Sequence, residues 1–347
     1  MKIKSFGSII LLFLCVSVYG QNNFRVMFYN VENLFDTADN PHKNDEEFLP
    51  DGRRRWSQKR YYTKINNLAK VIGSAGEWGV PAIIGLCEVE NEKVMQDLVK
   101  NSPLKKADYR FIVTSSPDRR GINVALLYQR DRFKYLGHRA YAIHFPYNKR
   151  KATRDILHVT GQVLSRDTVD VFVCHFPSRI GGEIKSEPDR IYTASVLKSK
   201  VDSLMLVRKN ASIIIMGDFN DEPSNKSIAQ TLNATSVSQK PEAKKLYNLF
   251  PHLEKKTGSY KYKGQWNMLD QIIVSGNLIS GGGSFKVLPH TATVFSRNFM
   301  LTEDKTNGGK RPRKTFNGMK YENGYSDHLP VFVDFKIEEV SSNNKCN

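Results

Sequence analysis

Six short apolar runs of this 347-residue chain each have a chemically reactive polar side chain at one end. Continuous apolar runs of this length are typical of strands that are buried on both faces. Residues just beyond such strands lie on loops held by a rigid scaffold, where binding and catalytic groups concentrate. The runs and their end residues are 24–29 with Asn30 and Glu32, 82–87 with Glu88, 169–174 with His175, 213–216 with Asp218 and Asn220, 271–274 with Asp270, and 329–335 with Asp327 and His328. Their grouping predicts one site along the edge of a sheet.

These end residues are carboxylates, amides and imidazoles, and none of them is a cysteine. Oxygen donors favour Mg²⁺, with Mn²⁺ or Ca²⁺ as alternatives, over zinc. Phosphate ester hydrolysis needs a metal at the phosphoryl oxygens, a base that deprotonates water, and a cationic group that stabilises the transition state. The residue types therefore predict a metal-dependent phosphoesterase.

The elements between these runs must bring the end residues together. Apolar residues recur at helical spacing over 57–72, 92–99 and 188–207, and Asp189 suits the start of the third helix. Helical and strand patterns alternate, which predicts an α/β fold of two packed sheets with helices outside, in one domain from residue 22 to 337. Residues 338–347 are expected to form a polar tail. Three further acids are expected at turns or on the surface: Asp36, Glu90 and Asp221.

Six motifs in this order resemble the endonuclease/exonuclease/phosphatase superfamily, which includes pancreatic-type deoxyribonucleases, apurinic endonucleases, sphingomyelinases and inositol polyphosphate phosphatases. The likeness spans nearly the whole chain after residue 20 and is greatest to the exported bacterial branch. The motifs are Tyr29-Asn30-Val31-Glu32-Asn33, Leu86-Cys87-Glu88-Val89-Glu90, His175-Phe176-Pro177-Ser178-Arg179, Gly217-Asp218-Phe219-Asn220-Asp221, Leu269-Asp270-Gln271-Ile272 and Ser326-Asp327-His328-Leu329-Pro330.

The resemblance implies a four-layer sandwich, with two mixed β-sheets flanked by helices, and a divalent-metal-dependent phosphodiesterase or phosphatase. Carried over by position, Glu88 is the principal metal ligand, with Asn30 and Glu32 beside it. Asp218 orients or deprotonates the attacking water, and Asn220 holds that water or the phosphate.

The same carry-over makes His328 and His175 contacts of the scissile phosphate. Either Asp270 or Asp327 supports His328. Asp327 directly precedes His328, and neighbours on a strand point to opposite faces, so an acid from another loop is the better partner for either histidine.

Two arginines are candidate phosphate contacts, because the planar guanidinium binds phosphate with two parallel hydrogen bonds. Arg154 precedes the 156–163 strand at a place where the nuclease branch has a phosphate-binding arginine. Arg179 belongs to the His-Phe-Pro-Ser-Arg motif.

The first twenty residues have the order of features of a secretory signal peptide. Lys2 and Lys4 precede an apolar core at 9–18, and Gly20 lies at the expected cleavage site. We therefore expect export to the periplasm or the medium, with no membrane span in the mature chain. Of the four cysteines Cys15 leaves with this segment, and the disulfide state of Cys87, Cys174 and Cys346 stays open.

The net charge is +17, and loss of Lys2 and Lys4 leaves +15. A chain this basic attracts polyanions, although a run of charge is usually a solvated surface. Two segments concentrate the charge, at 53–60 and within a long glycine-rich connection over 298–324. They are candidates for contact with nucleic acid backbone.

These observations favour a secreted nuclease, expected to be monomeric. An exported phosphatase or phosphodiesterase acting on a small-molecule or lipid phosphate uses the same residues and is the alternative. A catalytically inactive binding protein on this scaffold would lack one residue of the set, and none is missing. The residues predict the bond that is cleaved and leave open the substrate, endo or exo action, the number of metals, and the identity of the base.

Overall fold

The computed structural model describes residues 23–76, 79–253 and 257–337. The predicted signal peptide at 1–20 and the predicted tail at 338–347 lie outside these residues. The described part contains helices α1 to α4 and strands β1 to β20, numbered in chain order. They are β1 (Asn23–Leu34), α1 (Gln58–Ser74), β2 (Ile83–Val89), α2 (Glu92–Lys100), β3 (Tyr109–Val113), β4 (Asn123–Gln129), β5 (Phe133–Tyr141), β6 (Ile156–Val163), β7 (Thr168–His175), α3 (Glu183–Val207), β8 (Ser212–Asp218), β9 (Ala234–Ser236), β10 (Leu246–Asn248), β11 (Tyr260–Tyr262), β12 (Gln265–Asn267), β13 (Asp270–Ser275), α4 (Asn277–Ser280), β14 (Phe285–Val287), β15 (Thr293–Val294), β16 (Leu301–Glu303), β17 (Lys310–Pro312), β18 (Phe316–Asn317), β19 (Lys320–Tyr321) and β20 (Val331–Ile337).

Two seven-stranded mixed sheets form the centre of the molecule. The first, sheet A, has the order β14-β20-β1-β2-β4-β3, with β15 also paired to β20. The second, sheet B, has the order β5-β6-β7-β8-β13-β10-β9. Each sheet has an inner parallel pair, β1 with β2 and β7 with β8, and the edge pair β9 with β10 of sheet B is parallel as well.

Three apolar layers hold the sheets and helices together. Side chains of both sheets, such as Phe28 and Met216, form the central layer. Apolar residues of α1 and α2 cover the outer face of sheet A, and those of α3 cover sheet B. The order helix, sheet, sheet, helix is the four-layer sandwich that the resemblance implied, so the predicted fold is confirmed.

The third predicted helix begins earlier than its sequence pattern indicated. Helix α3 begins at Glu183, five residues before Pro188, and proline falls inside it. The side chains of Ser186 and Arg190 both donate to the carbonyl of Glu183, which strengthens this first turn. Asp189 is therefore not at the helix start, and its carboxylate instead accepts hydrogen bonds from Tyr147 and Lys151.

The segment 298–324, predicted as a connection without regular structure, contains two small hairpins. A 3₁₀ turn at Asn298–Met300 leads into β16–β17, and β18–β19 follows. The strands have only two or three residues, too few for periodicity to reveal. None of the helices in the described ranges is long and apolar enough to cross a membrane.

Candidate active site

Three neighbouring strands of sheet B bring three of the predicted residues into one row. Strands β7 and β8 run parallel and end together, which pairs His175 with Asp218. Strand β13 runs antiparallel to β8 and begins at this edge, which pairs Asp270 with Asp218. The register of the strands, rather than the sequence spacing, therefore places these side chains together.

Sheet A contributes to the same edge through irregular strand ends. The register shifts between Asn30 and Leu34 of β1, and again between Cys87 and Val89 of β2. At these bulges Glu32 and Glu88 have φ angles of 52° and 61°, and Asn220 across the site has 50°. Bulges redirect side chains, and left-handed backbone at residues other than glycine is a strain that clusters at functional sites.

Asp218 lies at the centre of the constellation and is 2% exposed. The Asn30 amide donates to its Oδ2 at 3.0 Å, and the backbone N–H of Asn220 donates to its Oδ1 at 2.9 Å. Burial raises the pKa of Asp218 to about 7, with His328 lowering it and Asp270 raising it further. Asp218 is thus a carboxyl group able to take and release a proton near neutral pH.

Opposite Asp218, His328 forms a close pair with Asp270. The His328 Nδ1 to Asp270 Oδ2 distance is 2.6 Å, and His328 Nε2 lies 3.8 Å from Asp218 Oδ2. Burial alone would lower the pKa of His328, but the carboxylates of Asp270 and Asp218 raise it well above its usual value. His328 is therefore held as an imidazolium, and Asp270, rather than Asp327, is the carboxylate that contacts it.

His175 is the second imidazole at this edge, and its pKa is shifted in the opposite direction to that of His328. Its Nε2 lies 3.7 Å from Asp218 Oδ2 and 3.9 Å from Glu88 Oε1. Burial and the charges of Arg154 and Arg120 hold the pKa of His175 well below its usual value. One histidine of the site is thus neutral while the other is cationic.

One carboxylate oxygen of Glu32 interacts with neighbouring groups of the protein. Its Oε2 accepts from the backbone N–H of Thr315 at 2.7 Å and lies 3.4 Å from Lys64 Nζ. Lys64 is 1% exposed and also donates to Thr315 Oγ1 and to the carbonyl of Tyr325. This ammonium group balances the Glu32 carboxylate, which distinguishes Glu32 from Glu88, whose side chain has no lysine partner among the described residues.

The donor set fits a hard divalent cation. Carboxylate oxygens of Asp218 and Asp270 lie within 4.8 Å of each other at this edge. Asp270 Oδ1 is buried without a hydrogen-bond partner among the described residues, and Glu88 Oε2 accepts only the Asn33 backbone N–H at 2.9 Å. Carboxylate oxygens that the protein leaves incompletely bonded are the donors that Mg²⁺, Mn²⁺ or Ca²⁺ bind.

These residues open onto a cleft of about 610 Å³. Its floor is polar and includes Glu88, His175, Asp218, Asn220, Asp327 and His328. Strands β11 and β12 contribute Tyr260, Tyr262 and Asn267 to the lining, and the segment before α3 contributes Arg179 and Ile180. The cleft is large enough for one phosphate with the groups attached to it.

Comparison with known proteins identifies the family. The Endonuclease/Exonuclease/phosphatase family model matches residues 25–337. The chain belongs to this family. Its members are hydrolases that act on phosphate esters, and the cleft described above lies within the matched range. No curated protein sequence shows significant similarity to the chain.

Solved structures share the fold at low sequence identity. A Bacteroides thetaiotaomicron protein of the endonuclease/exonuclease/phosphatase family is 17% identical, with a TM-score of 0.58 over 92% of this chain and 99% of that one. Humanized D. rerio TDP2 is 12% identical, with a TM-score of 0.56 over 91% and 99%. The human Nocturnin catalytic domain, solved with a bound sulfate anion, is 16% identical, with a TM-score of 0.55 over 91% and 95%. At these identities the comparison shows the shared fold alone.

Arg154, predicted from sequence as a phosphate contact, is bonded to partners within the protein. Its guanidinium is buried, donates to Asp118 at 3.2 Å and to the carbonyl of Phe176, and does not line the cleft. Arg120 lines the cleft instead, with a side chain that is 41% exposed. Arg179 does reach the cleft, but its Nε donates to the Asn220 carbonyl at 2.6 Å, so it also fixes the Asn220 loop.

Three acids expected at turns or on the surface are buried instead. Asp221 forms an ion pair with buried Arg190 at 2.7 Å. Glu90 accepts from the Asp36 backbone N–H at 2.7 Å, and Asn91 donates to Asp36 at 3.2 Å. Asp221 thus anchors the loop that carries Asp218 to α3, while Glu90 and Asp36 anchor the end of β1.

Tyr260 is a cleft residue that the sequence reasoning missed. Its ring packs on His328 with centroids 4.7 Å apart, and its backbone forms an isolated bridge to His328. Next to it, Ser259 Oγ accepts from the Asp270 backbone N–H, and the Ser259 carbonyl accepts from Leu329. A lone tyrosine in a three-residue strand has no sequence signal that would have identified it.

Proposed function

We propose that this chain is a divalent-metal-dependent nuclease that hydrolyses phosphodiester bonds of nucleic acid. The observation that carries the proposal is the pairing of a buried, partly protonatable Asp218 with an imidazolium at His328, 3.8 Å apart on the floor of an open cleft. A base and a cation in one cleft suit attack of water on a phosphate that lies over both groups.

Each side chain of the site has a proposed role in the hydrolysis. Asn30 and Asn220 hold the Asp218 carboxylate in one orientation, from which it accepts a proton from the attacking water. The His328 imidazolium donates from Nε2 to a phosphate oxygen, while Asp270 fixes its ring through Nδ1. Neutral His175 offers a further hydrogen bond without adding charge.

Glu88, with Asn30 beside it, is the proposed holder of the metal ion. When bound, a divalent ion neutralises charge on the phosphoryl oxygens and on the leaving oxygen. Mg²⁺ is proposed over Mn²⁺ and Ca²⁺ because it is commonly held by one or two carboxylates together with substrate phosphate.

The nucleic acid substrate is supported by charge and by one solved relative. The chain carries a net charge of +17, and a strongly basic protein attracts polyanions. D. rerio TDP2, 13% identical with a TM-score of 0.56, was solved with a single strand DNA product. Sequence alone supports export, through the features of residues 1–20.

A small-molecule or lipid phosphate remains the second candidate because apolar side chains lie exposed at the cleft mouth. Ile180 is 83% exposed and Tyr262 is 57% exposed, and both line the cleft. Such a rim suits an apolar group attached to the phosphate.

A substrate panel separates these candidates. Purified protein lacking residues 1–20 would be incubated with Mg²⁺ or Mn²⁺ and with single-stranded DNA, duplex DNA, RNA, inositol phosphates or sphingomyelin. We expect cleavage of nucleic acid that EDTA stops and that His328→Ala abolishes. Intact nucleic acid beside rapid hydrolysis of a small or lipid phosphate would reject the nuclease proposal.

A further inference from the structure

The two basic segments recognised in the sequence meet on one surface of the folded chain. Arg54 Nη1 donates to the carbonyl of Gly318 at 3.2 Å, and its guanidinium lies 4.8 Å from the ring centroid of Phe316. Arg60 lies over the ring of Tyr321 at 4.4 Å. Arg54 and Gly318 are 264 positions apart in sequence, so two distant segments are packed against each other.

This surface adjoins the active-site cleft. A polar pocket of about 220 Å³ lies between the segments and is lined by Glu32, Arg54, Lys314 and Phe316. Asp327 lines both this pocket and the active-site cleft. The pocket and the cleft therefore adjoin at Asp327, and Lys314 lines the pocket.

The basic residues of this surface fall into two groups. Arg54 and Arg311 are tied to acids, Glu47 at 3.0 Å and Glu322 at 2.8 Å, and hold the hairpins in place. The others have side chains with no hydrogen-bond or ion-pair partner among the described residues; they are Arg53, Arg55, Lys59, Lys310, Lys314 and Lys320. The second group is thus available to an external anion.

We propose that this surface, here called the basic wall (Arg53, Arg55, Lys59, Lys310, Lys314 and Lys320), binds the phosphate backbone of a nucleic acid strand beyond the cleaved phosphate. The proposal rests on the proposed nuclease function and specifies where the polymer lies. A charged segment is usually only solvated. Here, however, two such segments converge beside the cleft, and five of the six cations of this second group are exposed: Arg53, Arg55, Lys59, Lys310 and Lys320.

An anionic membrane is the other polyanion that such a surface could meet. Interfacial binding combines cations with apolar groups that enter the lipid. Among the described residues of the basic wall and its hairpins, Met319 is the only large apolar side chain that is mostly exposed. The chemistry of the wall therefore favours a nucleic acid backbone.

The test replaces four exposed cations of the wall that support no other group: Arg53→Ala, Lys59→Ala, Lys310→Ala and Lys320→Ala in one variant. A matched control replaces four exposed cations elsewhere, Lys134, Arg139, Lys209 and Lys240, by alanine. Binding of a fluorescein-labelled 20-nucleotide single strand would be measured in EDTA by anisotropy over a range of salt. Hydrolysis of bis(p-nitrophenyl) phosphate with Mg²⁺ or Mn²⁺ would be measured in parallel.

We expect the wall variant to bind the strand at least tenfold more weakly than the control variant. Its slope of log affinity against log salt should be smaller by about 3, since each phosphate contact on a single strand contributes about 0.7. Hydrolysis of the small diester should match that of the control. Equal affinities and slopes in the two variants would overturn the proposal, as would loss of binding to phosphatidylserine vesicles with binding to the strand unchanged. Binding is measured in EDTA and does not depend on hydrolysis. If neither the parent nor any variant hydrolysed the diester, the nuclease function would be rejected, and the binding data would still test the basic wall.

Discussion

The pair formed by His328 and Asp270 is the most specific contact of the site. The 2.6 Å distance through Nδ1 leaves Nε2 directed towards Asp218, and it decides between Asp270 and Asp327 as the supporting acid. The sequence argument that neighbouring residues on a strand point apart already favoured an acid from another loop. It could not choose the loop, because only the register of β13 against β8 brings Asp270 there.

Replacing Asp270 by asparagine should reduce phosphodiester hydrolysis about 10²-fold or more, the scale of a positioned acid–base group. Loss of the negative charge lowers the pKa of His328, so the alkaline limb of the pH–rate profile should move to lower pH. Asp327→Asn is the matched control, since no hydrogen bond joins Asp327 to His328 in the described chain. A larger loss in Asp327→Asn than in Asp270→Asn would contradict the assignment.

Glu90 is a buried acid whose raised pKa can be tested through the pH dependence of protein stability. Burial raises its pKa from 4.5 to about 7. Such a group keeps its proton longer in the folded chain than in the unfolded chain, so stability is lost as pH rises through this window. The shift corresponds to up to about 3 kcal/mol at 1.36 kcal/mol per pH unit.

Glu90→Gln should therefore weaken the fall in stability between pH 5 and pH 8 that the parent protein shows. The free energy of unfolding would be measured by urea denaturation at both pH values. Glu303→Gln, which changes an exposed carboxylate, is the control and should leave the pH dependence unaltered. An identical pH dependence in the parent and Glu90→Gln would contradict the raised pKa.

At the scale of elements, Lys64 joins three parts of the chain. From α1 it reaches Glu32 at the end of β1, Thr315 before β18, and the Tyr325 carbonyl before β20. A buried lysine on a helix is rare unless it is paired. The apolar periodicity predicted a helix through position 64. Only the tertiary structure shows that Glu32 is the partner of this lysine.

Lys64→Met should lower the free energy of unfolding by about 3–5 kcal/mol, the usual effect of removing one partner of a buried ion pair. Adding Glu32→Gln should recover part of this loss, because the remaining side chain is then uncharged. Lys93→Met, which removes the exposed lysine of a helical pair and leaves Asp97 bonded to Tyr61 and Asn101, should cost less than about 1 kcal/mol. Equal losses in Lys64→Met and Lys93→Met would show that the buried pair is unimportant.

The elements that sequence predicted best are those with continuous apolar runs. Strand β6 was predicted at its observed bounds, and the ends of β7 and β8 were predicted within one or two residues. The prediction was wrong for residues whose burial or order depends on partners far away in the sequence. Asp221 is buried because Arg190 pairs with it, and the 298–324 segment is ordered because Arg54 and Arg60 pack against its hairpins.

At the scale of the whole molecule, two sheets converge so that one polar edge holds all the predicted acids and both imidazoles. The apolar layers bury the strands on both faces, and this leaves the strand ends as the place where charged groups can lie together. The family's hydrolysis of phosphate esters agrees with this arrangement. The basic wall adjoins that edge at Asp327, and we propose it as the contact surface for a polymer.

We propose that this edge is a metal-dependent phosphodiesterase site centred on Asp218. The most direct measurement is hydrolysis of bis(p-nitrophenyl) phosphate by protein freed of metal with EDTA and then given Mg²⁺ or Mn²⁺, for the parent chain and for Asp218→Asn. We expect activity in the parent only after metal is restored, and a loss of about 10²-fold or more in Asp218→Asn with unchanged thermal stability or a higher one. Full activity in EDTA, or in Asp218→Asn, would contradict the account.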